Sequence, residues 1–408
     1  MDVKLEKINR DLEGEVFISG SKSESNRLIL LKALYNNIDI KNLSNSEDSI
    51  QMMNVLKSSN KVLDINHAGT AMRFLTSYYA FKPKSRIVLT GSKRMQERPI
   101  SILVDSLRQI GASIDYVNKY GYPPLKIIGK KPHSKIVRIS SNISSQYISS
   151  LMLIAPKLTG GIEINLNGEF ASLPYIKMTK SILEKVNVKT EFKDKKIIVY
   201  AKEKINDTSI KVESDWSSAS YFFSLVALSN KANFRLTSFR NNSLQGDSCL
   251  MKIYRKLGVN SFIKGDKLVI EKLKNFIKPN FIKLNLIDSP DIAQTIAVTC
   301  LGLGVRCELE GLHTLKIKET DRLIALKNEI KKLGGKVEIT ESNLLVYKTN
   351  KINKNINIST YDDHRMAMSF APLATITDIN ISDAEVVNKS YPNFWNDLKS
   401  VGISVNMK

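Results

Sequence analysis

The 408-residue chain has little of what marks a metal, nucleotide or membrane protein. Its three cysteines, Cys249, Cys300 and Cys307, show no C-x-x-C spacing. Neither a disulfide framework nor a zinc site is expected. Its four histidines, His67, His133, His313 and His364, show no ligand spacing. No G-x-x-x-x-G-K-[ST], G-x-G-x-x-G or H-E-x-x-H occurs, so neither a metal nor a nucleotide cofactor is indicated. Apolar stretches such as 221–228 and 296–305 fall short of a membrane span. The opening MDVKLEK alternates charged and apolar residues, so no signal peptide is expected and the chain reads as cytoplasmic. Eleven Pro and nineteen Gly exclude a collagenous or linker-dominated protein.

What is present is a globular composition with a strong positive bias. Apolar residues make up 42% and charged residues 25%, enough for two or three ordinary domains. The net charge is +21, which favours anionic partners. Of the 61 basic residues 14 are Arg and 47 Lys, and the lysines are scattered rather than stacked on one face. Small anionic molecules are therefore expected as partners, with no nucleic acid and no membrane; the chain is expected to be a monomer, although nothing in its charge pattern decides this.

A repeat organises the sequence. Six apolar helical segments each start after a small or polar cluster, from Ser21, Ala68, Ser144, Asp215, Pro290 and Asp362. Taking Ser23, Thr70, Ser145, Ser217, Asp291 and His364 as matching positions, the spacings are 47, 75, 72, 74 and 73. Between them recur amphipathic helices closed by Gly111, Asn187, Gly258, Gly334 or Gly402, and then a hairpin. Each unit reads β-α-β-α-β-β, and the short first spacing fits a hairpin missing from 58–66. The apolar helices should be buried, with the amphipathic helices and sheets outside. The expected class is α/β (α+β) with six such repeats, the first truncated, in two domains. Domain I is 1–20 plus 215–408, and domain II is 21–214.

Helix N-termini bind anions, and cations there are unfavourable unless an anion is present. Lys22, Arg27, Arg73 and Arg365 stand at or just after helix starts. Ser23, Gly69, Thr70, Ser144, Ser145, Gln146, Ser217 and Asp291 stand at matching positions, where capping is the alternative role for the hydroxyl and carboxylate groups. Three more cationic clusters are Arg94–Pro99, ahead of a helix expected to start near Pro99, Lys318-Glu319-Thr320-Asp321-Arg322, and Lys389, ahead of a helix expected to start at Pro392. Lys318 and Arg322 share one helix side with Glu319 beside them, an arrangement suited to holding an anion next to a proton donor.

Taken in order, these motifs resemble the 5-enolpyruvylshikimate-3-phosphate synthase family. They include Ser19–Arg27, Ala68–Arg73, Arg94–Pro99, Ser144–Gln146, Asp215–Tyr221, Asn242–Asp247, Lys318–Leu323 and Asp363–Met368. The resemblance implies two domains of three β-α-β-α-β-β units joined by a double crossover. It implies transfer of the enolpyruvyl group of phosphoenolpyruvate to the 5-hydroxyl of shikimate 3-phosphate, with release of phosphate and no cofactor. It implies that Lys22, Gly69, Arg98, Arg322, Arg365 and Lys389 hold phosphoenolpyruvate. Ser23, Arg27, Ser144, Ser145, Gln146, Ser172, Tyr175, Asp291 and Lys318 would hold shikimate 3-phosphate. Asp291 would be the base, Glu319 the acid, and Lys22 a third catalytic group. Domain closure would exclude water; in the family glyphosate occupies the phosphoenolpyruvate site, and the sequence leaves the sensitivity of this chain open.

The sequence departs from the family pattern at His67, Thr314, Phe74 and the short 58–66 segment. A sister enzyme, UDP-N-acetylglucosamine enolpyruvyl transferase, would carry a Cys near 91–98, and none is there. The RNA 3′-phosphate cyclase group, a nucleic-acid alternative with a related repeat, would need a catalytic His; the histidines here lie within the synthase motifs.

Overall fold

The computed structural model describes residues 1–8, 11–140, 144–168 and 172–408. The chain divides into two compact units, Met1–Ser19 with Glu213–Lys408 (unit 1) and Gly20–Val212 (unit 2). Unit 2 carries helices α1 (Lys22–Leu34), α2 (Glu47–Lys57), α3 (Gly69–Phe81), α4 (Lys93–Gln96), α5 (Ser101–Gln109), α6 (Ser145–Ile154) and α7 (Leu173–Lys185). Unit 1 carries α8 (Trp216–Leu228), α9 (Leu250–Arg255), α10 (Ala293–Leu303), α11 (Arg322–Lys332), α12 (His364–Phe370) and α13 (Phe394–Ser400).

The apolar helices are the buried ones. In unit 2, α1, α3 and α6 pack on one another; in unit 1, α10 packs on both α8 and α12. Every residue of α8 except Ser217 is buried. Hydroxyls on these helices find partners across the packing interface, which keeps them from being orphaned. Thr295 on α10 meets Ser220 of α8 at 3.1 Å and Ser369 of α12 at 3.1 Å. The amphipathic helices end where the sequence put their left-handed caps: Asn187 has φ 59° and Gly334 has φ 85°.

The sheets repeat one topology. Ile136–Ser140 and Ile162–Asn167 pair in parallel across α6, and the Thr190–Lys193/Lys196–Val199 hairpin adds antiparallel to Ile162–Asn167. The sheets of Val62–Asp64, Phe281–Asn285 and Leu12–Val16 have the same order. In the last sheet of unit 1, Val3–Glu6 from the N-terminus takes a hairpin position between Ile379–Ile381 and Ser404–Met407. Among the described residues five sheets have four strands; Thr208–Lys211 with Ile38–Lys41 makes only two, as the short first repeat requires. Two strands are exchanged. Leu12–Val16, which precedes α1, pairs with Ala232–Thr237, which follows α8. Thr208–Lys211, which precedes α8, pairs with Ile38–Lys41, which follows α1.

Three local starts differ from the sequence reading. Asp291 lies in a 3-10 turn, Pro290–Ile292, ahead of α10 rather than on its first turn. The cations of 94–98 lie in and after the short helix α4, and the next helix begins at Ser101. After Pro392 the helix begins at Phe394. In each case proline, lacking an N–H donor, occupies the approach to the helix rather than its body.

Candidate active site

In unit 1 the ends of several elements gather one charged cluster. Arg322, 1% exposed at the start of α11, donates from all three guanidinium nitrogens. Nε reaches Asp363 Oδ2 at 2.6 Å, Nη1 reaches Asp291 Oδ1 at 3.0 Å, and Nη2 reaches Glu319 Oε2 at 2.8 Å. Asp363 also caps α12, accepting from the Arg365 N–H at 2.8 Å. Arg365 Nη2 lies 3.1 Å from Asp291 Oδ2 and 3.4 Å from Ser217 Oγ. Lys318 Nζ lies 3.5 Å from Asp291 Oδ1. Ser217, the one unburied residue of α8, donates to Asp247 Oδ2. Lys389 Nζ donates to the Asp362 carbonyl at 2.7 Å.

These contacts set the charge states. Burial alone would raise the Asp291 pKa, but Arg365, Lys318 and Arg322 outweigh it and hold the carboxyl well below its usual range. Asp291 is thus ionised because of three cations, not because of a helix N-terminus. Burial opposes the charge of Arg322 and Arg365, and their carboxylate neighbours more than restore it. Asp247 is pushed up to about 7, first by burial and then by the charge of Asp291. Arg365 Nε is buried and meets no acceptor among the described residues.

Unit 2 holds a second set. Arg98 lies over the start of α3, where a Cβ on Gly69 would stand 2.6 Å from its Nη1. Lys22 pairs with Asp48 at 3.0 Å. Arg27 is buried; its Nε donates to Thr179 at 2.7 Å, its Nη1 to the Ser23 carbonyl at 2.7 Å, and its Nη2 to Ser149 at 3.0 Å. Its guanidinium also lies 5.8 Å from the Tyr175 ring centroid. Ser144 caps α6 by accepting from the Gln146 N–H, and the Gln146 side chain donates to Thr70 at 3.3 Å. Ser145 opens α6, and Ser172, with φ 58°, precedes α7. Arg73 is taken up by the carbonyls of Gly69 and Pro99, so this cation at a helix start has a local structural role. His67 Nδ1 meets Ser92 Oγ at 2.9 Å, tying it to the cap of α4.

The structure therefore brings Asp291, Lys318, Glu319, Arg322 and Arg365 together, and separately joins Gly69 with Arg98 and Arg27 with Tyr175. Three contributors are not assigned from sequence: Asp363, Asp48 and Asp247, the partner of Ser217. Asp363 and Asp247 stood inside noted motifs; Asp48 carried only the signal of an acidic first turn.

The cysteines take no part in the cluster. Cys300 and Cys307 are buried core residues, and burial pushes the Cys249 thiol up to about 11. Among the described residues no group of three or more His, Cys, Asp or Glu is arranged to hold a metal ion. None of their helices is long and apolar enough to cross a membrane.

Comparison with known proteins gives one consistent answer. The family profile of EPSP synthase (3-phosphoshikimate 1-carboxyvinyltransferase) matches residues 6–60 and 56–398. A 3-phosphoshikimate 1-carboxyvinyltransferase of Bacteroides fragilis (strain YCH46) is 40% identical over 398 residues, covering 97% of this chain and 96% of that one. One from Haemophilus influenzae (strain PittGG) is 35% identical over 429 residues, covering 96% of each. The solved EPSP synthase of Acinetobacter baumannii superposes with a TM-score of 0.79 at 21% identity over 100% of both chains. The enolpyruvyl transferase NikO of Streptomyces tendae shares the fold, with a TM-score of 0.77 at 11% identity over 99% of this chain and 98% of that one. With a profile and full-length relatives in agreement, the chain belongs to the EPSP synthase family.

Proposed function

We propose that the unit 1 cluster carries the proton transfers of the family reaction and that unit 2 supplies cations and hydroxyls for the anionic substrates. The reaction joins phosphoenolpyruvate to the 5-hydroxyl of shikimate 3-phosphate, giving 5-enolpyruvylshikimate 3-phosphate and phosphate, in the shikimate pathway to chorismate and the aromatic amino acids. The observation that carries this reading is the pair of carboxylates on one arginine: Asp291 and Glu319 on separate nitrogens of Arg322.

In this reading Glu319 gives a proton to the methylene carbon of phosphoenolpyruvate, making the adjacent carbon electrophilic. The 5-hydroxyl oxygen bonds to that carbon while ionised Asp291 takes its proton. The bond to phosphate then breaks, a methyl proton returns to Glu319, and the double bond is restored. The hydroxyl proton leaves with phosphate. Arg322, Arg365 and Lys389 in unit 1 are assigned to phosphoenolpyruvate, as are Lys22, Arg98 and the Gly69 backbone in unit 2. Lys22 is also assigned a part in stabilising the charge that develops during addition. Ser23, Arg27, Ser144, Ser145, Gln146, Ser172 and Tyr175 are assigned to shikimate 3-phosphate, together with Lys318 and Asp291. Arg365 Nε and the N–H groups at the starts of α3 and α6 suit phosphate or carboxylate oxygens. The chain is read as acting alone, as a cytoplasmic monomer.

The test is phosphate release from the two substrates, with deuterium exchange into phosphoenolpyruvate followed in parallel. Glu319→Gln should lower turnover by about 10²–10⁴ and suppress the exchange while both substrates still bind. Asp291→Asn should slow addition with a smaller effect on binding. Near-wild-type turnover and exchange in folded Glu319→Gln would refute the proton-donor role.

A further inference from the structure

The truncated first repeat leaves a feature the reaction does not use. In four other repeats the second helix packs on the outermost strand of its hairpin. These pairs are α5 on Ser113–Tyr116, α7 on Thr190–Lys193, α9 on Val259–Lys264 and α11 on Val337–Ile339. After α2 the chain passes directly through 58–61 to Val62–Asp64, and the corresponding hairpin is missing from its sheet.

Two surfaces are left open. Among the described residues the strand Ile38–Lys41 pairs with Thr208–Lys211 on one side only. Thr208 donates to the Asn37 carbonyl and Val212 donates to the Lys41 carbonyl, so alternate residues face that partner. The N–H and C=O of Ile38 and Ile40 therefore point to the open edge. Beside it lies a groove of about 510 Å³ lined by Ile40, Met53, Leu56 and Tyr78, with Lys32 and Lys57 also in its wall. No carboxylate lines it among the described residues. Ile50, one turn before Met53 on α2, is 43% exposed.

We propose that this edge and groove dock an extended segment of a partner protein whose groove-facing residues are apolar at the centre and acidic at either end. The open edge supplies main-chain donors and acceptors for one added strand. Alternation on that strand sends every second side chain into the groove over α2. Lys32 and Lys57 select acidic rather than basic flanking residues. A second copy of this chain is a poor occupant. It carries +21 of its own and would bring another Lys32 and Lys57 against the first pair.

The test uses the full chain and two blocked synthetic heptapeptides in which Ser alternates with the groove-facing residues, these being Val or Ile at the centre and Glu at both ends in one peptide, Lys at both ends in the other. Fluorescence anisotropy should show saturable one-to-one binding of the Glu peptide, at least about tenfold tighter than the Lys peptide. Ile40→Pro deletes an N–H at the open edge, and Leu56→Glu puts a like charge in the groove; each should abolish binding. Thermal melts establish that each variant is folded, and Leu56→Glu decides the outcome if Ile40→Pro is not. No saturable binding, equal binding of both peptides, or unchanged affinity in folded Leu56→Glu overturns the proposal. Sedimentation showing a dimer that Ile40→Pro dissociates would overturn it in favour of a second copy.

Discussion

Arg98 rests against the first turn of α3 so closely that a Cβ on Gly69 would stand 2.6 Å from its Nη1 and 3.0 Å from its Cζ. Only a residue without a side chain lets the guanidinium lie over that backbone. Gly69→Ala should displace the end of Arg98 and leave the helix intact, since alanine is the better helix former. We expect the KM for phosphoenolpyruvate to rise by about tenfold, with a smaller change for shikimate 3-phosphate and an unchanged or slightly higher Tm. Steady-state kinetics with each substrate varied, beside a thermal melt, separate this from general destabilisation.

Asp247 gives the fold a pH signature. Its folded pKa of about 7 lies above the ordinary value of 3.8. Between those values the folded chain binds more protons than the unfolded one, so this group's contribution is full below pH 3.8 and is lost as pH rises through 7. Asp291 works the other way: its depressed pKa gives stability above pH 3.8 that disappears as pH falls. Asp247→Asn should therefore raise the Tm by several degrees at pH 8 and by much less at pH 5. A Tm difference that is the same at both pH values would show that Asp247 is ionised throughout.

Much of the fold was legible because it is local. The starts of α1, α3, α6 and α8, the left-handed caps at Asn187 and Gly334, and the missing hairpin all follow from residues adjacent in sequence. The site was legible as a set of residues, but its wiring was not. Arg322 meets Asp363 across 41 positions and Asp291 across 31, and no periodicity encodes such a pairing. The same holds for Arg27, whose partners Ser149 and Thr179 sit on other helices of its unit. Cations at helix starts, taken from sequence alone, signal bound anions. Arg322 and Arg365 are in part neutralised by the protein's own carboxylates, and Arg73 by carbonyls. The expected division already places Leu12–Val16 with the α8 domain and Thr208–Lys211 with the α1 domain, but not their pairing partners, since either strand suits either sheet.

The thiols should be silent in catalysis. Burial holds Cys249 at about 11 and pushes Cys300 well above its ordinary value, so neither is a thiolate at neutral pH. Iodoacetamide at pH 7 should leave phosphate release unchanged. The triple change of Cys249, Cys300 and Cys307 to Ala should stay within about tenfold of wild type, at some cost in stability from the two buried sites. Complete loss of turnover in a folded triple variant would contradict a mechanism without a covalent thiol adduct.

Arg322 is the residue on which unit 1 depends most, because one planar fork holds three carboxylates. A lysine keeps the charge but offers one nitrogen, so Arg322→Lys leaves at least one of Asp291, Glu319 and Asp363 without its partner. Two of those are groups of the proposed chemistry, and Asp363 fixes the first turn of α12 from which Arg365 extends. Breaking such a buried pair costs about 3–5 kcal/mol. Arg322→Lys should therefore lower the Tm and reduce kcat by at least about a hundredfold. Asp363→Asn should partly relieve the stability loss when combined with it, since it removes one uncompensated charge. The double-mutant cycle in Tm and in kcat decides the point. If Arg322→Lys and Asp363→Asn are strictly additive in stability, the two side chains are not coupled and the fork is not what orders this cluster.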